Sequence, residues 1–277
     1  MDSVGSYRSS FASLHASGCF VIPNPWDVGT TKYLRFLGFK AVATTSAGFA
    51  FSRGLPDGVN GVSRDQMLAH IAEITQAAEL PVNADFQSGY ADDPDEVGES
   101  VKLCFQTGVS GLSIEDATGN PAMPLYELTE AVHRIRAARR ALDETGSGVL
   151  LTARAECYLV NHPDAFNDSL RRLAAYAEAG ADVLYAPGVS DRKEIQEMVT
   201  AVAPTPLNVL VSSNTGLRVA DLADMGVRRV SVGSSLARSA WTGFMKAAKE
   251  IREQGTFGGF EGAVPFNDLN SLFEKAR

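Results

Sequence analysis

Residues 81–116 read PVNADFQSGYADDPDEVGESVKLCFQTGVSGLSIED. An apolar run, PVNADF (81–86), leads into a polar turn containing glycine. An amphipathic stretch, DEVGESVKLCFQTG (95–108), follows, and then a second apolar run, GLSIED (111–116). Neither run alternates cleanly between apolar and polar residues, as expected of parallel strands covered on both faces. The stretch between them has helical spacing and closes on Gly108, which can take the left-handed backbone that ends a helix. The segment is a β–α–β unit.

The unit repeats along the chain. Further apolar runs are CFVIP (19–23), AVATTS (41–46), VLLTARA (149–155), DVLYAP (182–187), LNVLVS (207–212) and RVSVGS (229–234), which brings the total to eight. Helical patterns occupy 64–79, 128–146, 169–180, 192–203 and 218–226, and Gly38, Gly180 and Gly226 precede strands as Gly108 does. Eight consecutive units predict an α/β fold of the (β/α)8 barrel type rather than an open doubly wound sheet. Residues 1–277 read as one barrel domain, with 237–277 a C-terminal helical extension suited to packing on a neighbouring subunit.

Composition narrows the function. With 45% hydrophobic and 21% charged residues, the chain can bury a large core. A net charge of −8 argues against nucleic acid or an anionic membrane as partner. The three cysteines, Cys19, Cys104 and Cys157, match no zinc spacing and fit a reducing compartment. The N-terminal stretch lacks the pattern of a secretory signal, and no apolar run approaches the roughly 18 residues of a membrane span. A cytoplasmic protein is expected.

Barrel active sites lie at the C-terminal ends of the strands. Strand 3 delivers Asp85 and Gln87, strand 4 delivers Glu115 and Asp116, and strand 5 delivers Arg154 and Glu156. The long loop after strand 2, TTSAGFAFSRGLPDG, carries Asp57, and strand 7 carries Asn208. Asp85, Glu115 and Arg154 therefore converge from successive strands. Two carboxylates with few bases suit a hard cation such as Mg2+, held partly through water. An arginine beside them suits a carboxylate or phosphoryl group gripped in bidentate fashion. Together they point to an anionic substrate and a Lewis acid that stabilises a developing enolate. Plainer roles compete at other positions. Asp116 could serve as a loop hydrogen-bond partner, Asp92, Asp93 and Asp95 as helix-start acids, and Glu156 as a salt-bridge partner of Arg154. Of the histidines, only His162 lies in a loop that could reach the mouth, and a surface role suits it better. Cys157 reads as a buried thiol. No nucleophile elbow, P-loop or dinucleotide fingerprint is present.

The pieces NPWDVGT, TTSAGFAFSRGLPDG, NADFQSGY, GLSIEDATG, LTARAECY, AGADVLYAPG and LADMGVRRVSVGSSLARSA, in this order, resemble the isocitrate lyase/phosphoenolpyruvate mutase superfamily. The resemblance implies a (β/α)8 barrel, usually a homotetramer that exchanges a C-terminal helix between subunits. It also implies Mg2+ or Mn2+ and a small α-oxo acid. By this resemblance Asp85 and Glu115 match metal carboxylates, and Arg154 matches the arginine that holds substrate. Ser46, Ala47 and Gly48 match the loop whose backbone N–H groups bind the α-oxo carboxylate. Asp57 matches the acid of the mobile loop, a catalytic position that could transfer a proton or shield the site from water, and Asn208 matches a polar position on strand 7. Gln87 stands where many members carry a second acid, and can hydrogen-bond a water of the cation. The Lys-Lys/Arg-Cys-Gly-His loop of the true lyases is replaced by DATGNPAMPLYEL. The reading that follows is a Mg2+-dependent carbon–carbon lyase or decarboxylase acting on a small oxo or hydroxy di- or tricarboxylate. A phosphonopyruvate mutase or P–C hydrolase and a non-catalytic ligand-binding barrel are the alternatives.

Overall fold

The computed structural model describes residues 3–58 and 61–275. Eight parallel strands form the barrel wall: β1 (Phe20–Ile22), β2 (Val42–Ala43), β3 (Val82–Asp85), β4 (Gly111–Glu115), β5 (Leu150–Arg154), β6 (Val183–Tyr185), β7 (Leu207–Leu210) and β8 (Arg229–Ser231). Ladders join them in the order β1-β8-β7-β6-β5-β4-β3-β2. No ladder joins β1 to β2. That seam is closed by a backbone bond from Ala43 N to the Pro23 carbonyl, 3.0 Å, and by one side chain. Asn24 donates to the Thr44 carbonyl at 2.9 Å and accepts from the backbone of Val232 and Gly233 at 3.0 and 2.9 Å. It thus ties together the strand ends of β1, β2 and β8.

The outer ring holds α2 (Val28–Phe36), α4 (Arg64–Ala78), α5 (Pro94–Gln106), α6 (Leu128–Asp143), α7 (Ala165–Glu178), α8 (Arg192–Val202), α9 (Val219–Asp224) and α10 (Ser235–Gln254). The core lies between this ring and the strands, where Val101, Leu112, Ile114, Leu151, Ile195 and Met198 are buried. The helix-closing glycines Gly38, Gly108, Gly180 and Gly226 have φ between +86° and +98°, as their places in the sequence predict. The segment after β2 differs from the loop expected there. It opens as a seven-residue helix, α3 (Ser46–Ser52), capped by the Thr45 side chain. Seven residues are too few for periodicity to show. Residues 28–36 and α1 (Ser3–Ala16) also fold as helices that the apolar spacing does not announce. At the C-terminus, α11 (Phe266–Lys275) packs against α2, with the Phe273 ring beside Gly29. Among the described residues no helix is long and apolar enough to cross a membrane.

The barrel floor is sealed by α1. Phe11 is fully buried there, and a Cβ on Gly111 would lie 2.7 Å from its ring, so the first residue of β4 must be glycine for the helix to seat. Above it the interior is polar, whereas branched aliphatic layers fill most barrels. Buried Arg229 donates to Asn208 Oδ1 at 2.9 Å and Thr152 Oγ1 at 3.1 Å, and its Nη1 lies 3.5 Å from Asn83 Oδ1 and His15 Nε2. His15 Nδ1 faces the Phe11 carbonyl at 2.8 Å. That nitrogen therefore carries the proton, and Nε2 is left to accept from Arg229. Burial first, and Arg229 second, bring the His15 pKa from 6.5 to about 3, against the pull of the Phe11 carbonyl.

Two outcomes follow. Asn24→Ala should cost about 2–4 kcal/mol in urea denaturation, because three backbone groups at the seam lose their partner; a loss within experimental error would show that the backbone bond alone closes the barrel. For His15, the unfolded chain gains a proton near pH 6.5 and the folded chain only near 3. Stability that is complete above that range is therefore lost as pH falls through it. His15→Asn should flatten this acid slope by up to about 1.4 kcal/mol per pH unit. Parallel wild-type and variant slopes would mean that His15 is protonated in the folded state.

Candidate active site

Adjacent strand ends bring Asp85, Glu115 and Arg154 together, with Glu115 and Arg154 directly paired in register. The guanidinium spends a different nitrogen on each of three carboxylates. Nη1 meets Asp85 at 2.7 Å, Nη2 meets Glu115 at 3.1 Å and Nε meets Glu156 at 2.9 Å. Asp85 also accepts from the backbone N and hydroxyl of Ser46, both at 2.9 Å. The first turn of α3 is thereby tied to β3.

Charge is unbalanced at this mouth. Asp57, Asp85, Glu115 and Glu156 face one guanidinium. Burial pushes the Glu115 carboxyl well above its usual range, and Glu156 and Asp85 add to this against the pull of Arg154. Asp57 is raised by burial and then by Asp85. Burial alone would lower the Arg154 pKa, but Glu115, Glu156 and Asp85 together outweigh it and hold the cation fixed.

Behind the mouth a buried network fixes Glu156. Its backbone N donates to Asp116 Oδ1 at 2.9 Å, and Asp116 Oδ2 takes Arg172 at 3.0 Å and the Tyr176 hydroxyl at 2.5 Å. Arg172 continues to Asp168 at 2.8 Å, beside the buried Cys157 thiol. Asp116 and Cys157 thus serve the wall, as their plainer readings had it, and Glu156 is a salt-bridge partner of Arg154. Asp93 caps α5, and His162 turns back to the backbone of Asp164.

The mouth opens on a cavity of about 150 Å³. Pockets for drug-sized ligands run to roughly 300–1,000 Å³, so the occupant is small. Ser46, Ala47, Asp57, Asp85, Arg154 and Asn208 line it. Glu115 meets Arg154 beside it, and Gly48 and Gln87 lie outside the lining. Of the three amides expected to bind a carboxylate, Ser46 N is taken by Asp85 and Gly48 N by Thr45 Oγ1. Only Ala47 N is uncommitted among the described residues. Asn208 uses its amide at both ends, accepting from Arg229 and donating to Ser231 at 2.9 Å. Gln87 has φ of +47° and reaches Asp57 at 3.5 Å. The loop after β4 folds onto itself through a bridge between Ala117 and Leu125, and none of its residues lines the cavity.

Sequence reading assigned no role to Asn24, Tyr185, Arg229 or Ser231, which also line the cavity. Tyr185 sat inside an apolar run and counted as core. Arg229 was the available signal, being a charge that opens a strand otherwise buried on both faces.

The donors at the mouth are hard carboxylate oxygens in excess over cations, the chemistry that suits Mg2+ or Mn2+. Among the described residues no three acidic, histidine or cysteine side chains gather as a ready-made metal cage. A cation there would take most of its ligands from substrate and water, as Mg2+ commonly does.

The family model described as phosphoenolpyruvate phosphomutase matches residues 11–252. The solved structure of a candidate lyase/mutase from Burkholderia cenocepacia J2315 superposes with a TM-score of 0.94 at 46% identity, covering 99% of this chain and 98% of that one. The 2-methylisocitrate lyase of Escherichia coli K12 is 30% identical over 79% of this chain and 75% of its own. The oxaloacetate decarboxylase of Pseudomonas entomophila L48 is 27% identical over 82% and 78%. With the barrel, the strand-end acids and the arginine in the order described, the chain belongs to the phosphoenolpyruvate phosphomutase family, within the isocitrate lyase/phosphoenolpyruvate mutase superfamily that its motifs resemble.

Proposed function

We propose that this lyase-type enzyme cleaves a carbon–carbon bond in a small α-oxo or hydroxy di- or tricarboxylate, with decarboxylation of oxaloacetate as the simplest case. The observation that carries the reading is Arg154, locked by three carboxylates at the mouth of a small polar cavity. The self-contained loop after β4 supports it further. Decarboxylation needs no acid or base from that loop, whereas a phosphoryl group would need its polar side chains. The named relatives include a decarboxylase of oxaloacetate and a lyase of 2-methylisocitrate.

In this reading Arg154 binds the substrate carboxylate, helped by the free Ala47 amide at the start of α3. Asp85 and Glu115 would hold Mg2+ or Mn2+, with Gln87 and Asp57 beside them. Such a cation, when bound, supplies Lewis-acid stabilisation of charge on the oxo group. The rigid setting of Arg154 keeps the breaking bond aligned, so little reorganisation accompanies the charge shift. Asp57 covers the reacting carbon from the loop side and excludes water. Asn208 shapes the floor against the far end of the substrate.

Residues 237–277 we assign to assembly. Phe244, Met245 and Phe266 are 63%, 63% and 78% exposed, large apolar groups that a neighbouring copy in a homotetramer would cover.

The test is a panel of oxaloacetate, 2-methylisocitrate, substituted malates and phosphonopyruvate with Mg2+, read by pyruvate formation. Oxaloacetate or a malate should turn over, a chelator should stop it, and Asp85→Ala should abolish it. Arg154→Lys should lower kcat/KM by about 100- to 1,000-fold, because an ammonium cannot replace the three-way fork. Phosphate release from phosphonopyruvate would favour P–C chemistry, and Mg2+-dependent binding without turnover would favour a ligand-binding barrel. For assembly, Phe244→Asp with Met245→Lys should shift the mass in light scattering from four subunits to fewer; an unchanged mass would remove this face from the interface.

A further inference from the structure

Cleavage that leaves an enolate must end with a proton placed on carbon, and the wall of the cavity holds a group oriented to give one. We propose that Tyr185 is the proton donor: its hydroxyl hydrogen, aimed into the cavity by a chain of hydrogen bonds rooted at Arg229, is delivered to the enolate carbon. The inference rests on the decarboxylase reading above and names the acid that reading leaves open.

The direction of the chain is fixed at its root. A guanidinium can only donate, so Arg229 Nε, 2.9 Å from Asn208, makes that atom the carbonyl oxygen. The amide nitrogen of Asn208 must then donate to Ser231 Oγ at 2.9 Å. The Ser231 hydroxyl in turn donates to Tyr185 Oη, 3.4 Å away. Tyr185 is left as an acceptor from below, and its hydrogen has no protein acceptor among the described residues. Every link is buried: Arg229 is 3% exposed, Asn208 1%, Ser231 7% and Tyr185 9%.

Tyr185 is also where the reaction needs it. It ends β6, pairs in register with Arg154 on β5, and lines the same cavity. The Arg154 guanidinium carbon sits 5.3 Å from its ring centroid. Two other hydroxyls of the wall spend their hydrogens within the protein, Ser46 on Asp85 and Ser113 on the Ala84 carbonyl. Burial lifts the phenol to about 12, while Arg154 and the Ser231 hydrogen bond work the other way by favouring the phenolate. Such a group stays protonated at neutral pH and remains a much stronger acid than a methyl group next to a carbonyl.

The step balances. The bond to the departing carboxylate breaks, CO2 leaves, and the electron pair becomes the carbon–carbon double bond of the enolate. As the oxo group re-forms, that carbon takes the Tyr185 proton in a new C–H bond. The O–H pair stays on oxygen as a phenolate beside Arg154, which regains a proton from water when product leaves.

The experiment uses oxaloacetate bearing one methyl group on the carbon next to the breaking bond, turned over in D2O with Mg2+. The 2-oxobutyrate is trapped at once as its hydroxy acid, and the configuration of the deuterated carbon is read by NMR. Wild type should deliver deuterium to one face. Tyr185→Phe, which keeps the ring and its packing, should still release CO2 but with on-enzyme protonation reduced about 100-fold or more, so the free enol takes deuterium on both faces. Ser231→Ala should lose part of the selectivity. Single-face delivery by Tyr185→Phe or two-face delivery by wild type would each overturn the proposal while leaving the lyase reading intact. Failure of wild type to release CO2 from oxaloacetate or its methyl derivative would overturn the decarboxylase reading and the proposal with it.

Discussion

The fork of Arg154 organises the upper half of the barrel. One planar cation satisfies Asp85, Glu115 and Glu156 at once, each on its own nitrogen. Removing charges from water is costly, and a buried ion cluster is retained only where geometry and further hydrogen bonds offset that cost. Here Ser46 supports Asp85 and the network of Asp116, Arg172 and Tyr176 supports Glu156. Negative charge remains in surplus, and it adds to burial in raising the carboxyls of Glu115 and Asp57. A site in this state favours whatever brings positive charge, and its rigidity is set before any ligand arrives.

The lower half depends on a different cation. Among the described residues Arg229 has no carboxylate partner in its hydrogen-bond shell, and neutral oxygens and one histidine nitrogen surround it. Burial brings it down to about 10, still charged at neutral pH. What it contributes is direction. Because it cannot accept, the Asn208 amide above it is held in one orientation, which an aliphatic interior could not impose.

Much of this was legible from sequence. Eight apolar runs without alternation and glycines at helix ends are strong signals, because parallel strands buried on both faces leave no other pattern. Asp85, Glu115 and Arg154 were legible because each is the first charge after such a run. Asp57 and Ala47 also reach the cavity as expected. The amides of Ser46 and Gly48 were less legible, since their use within the protein depends on the helix that begins there. Tyr185 and Ser231 resembled core because their polar atoms point inward, and a sequence does not say which side of a strand faces the barrel axis. The polar floor needed the register of β7 on β8, which pairs Asn208 with Arg229.

The seam between β1 and β2 divides this wall unequally. Seven ladders hold the other junctions, while this one rests on a single backbone bond and the contacts of Asn24. Parting it is therefore the least costly local opening of the barrel, and the amide of Ala43 is the reporter that hydrogen exchange would read first among the strands. The two-residue strand on its far side carries α3 and the segment with Asp57. The mouth can thus open along one edge while Arg154 and the floor beneath it keep their alignment.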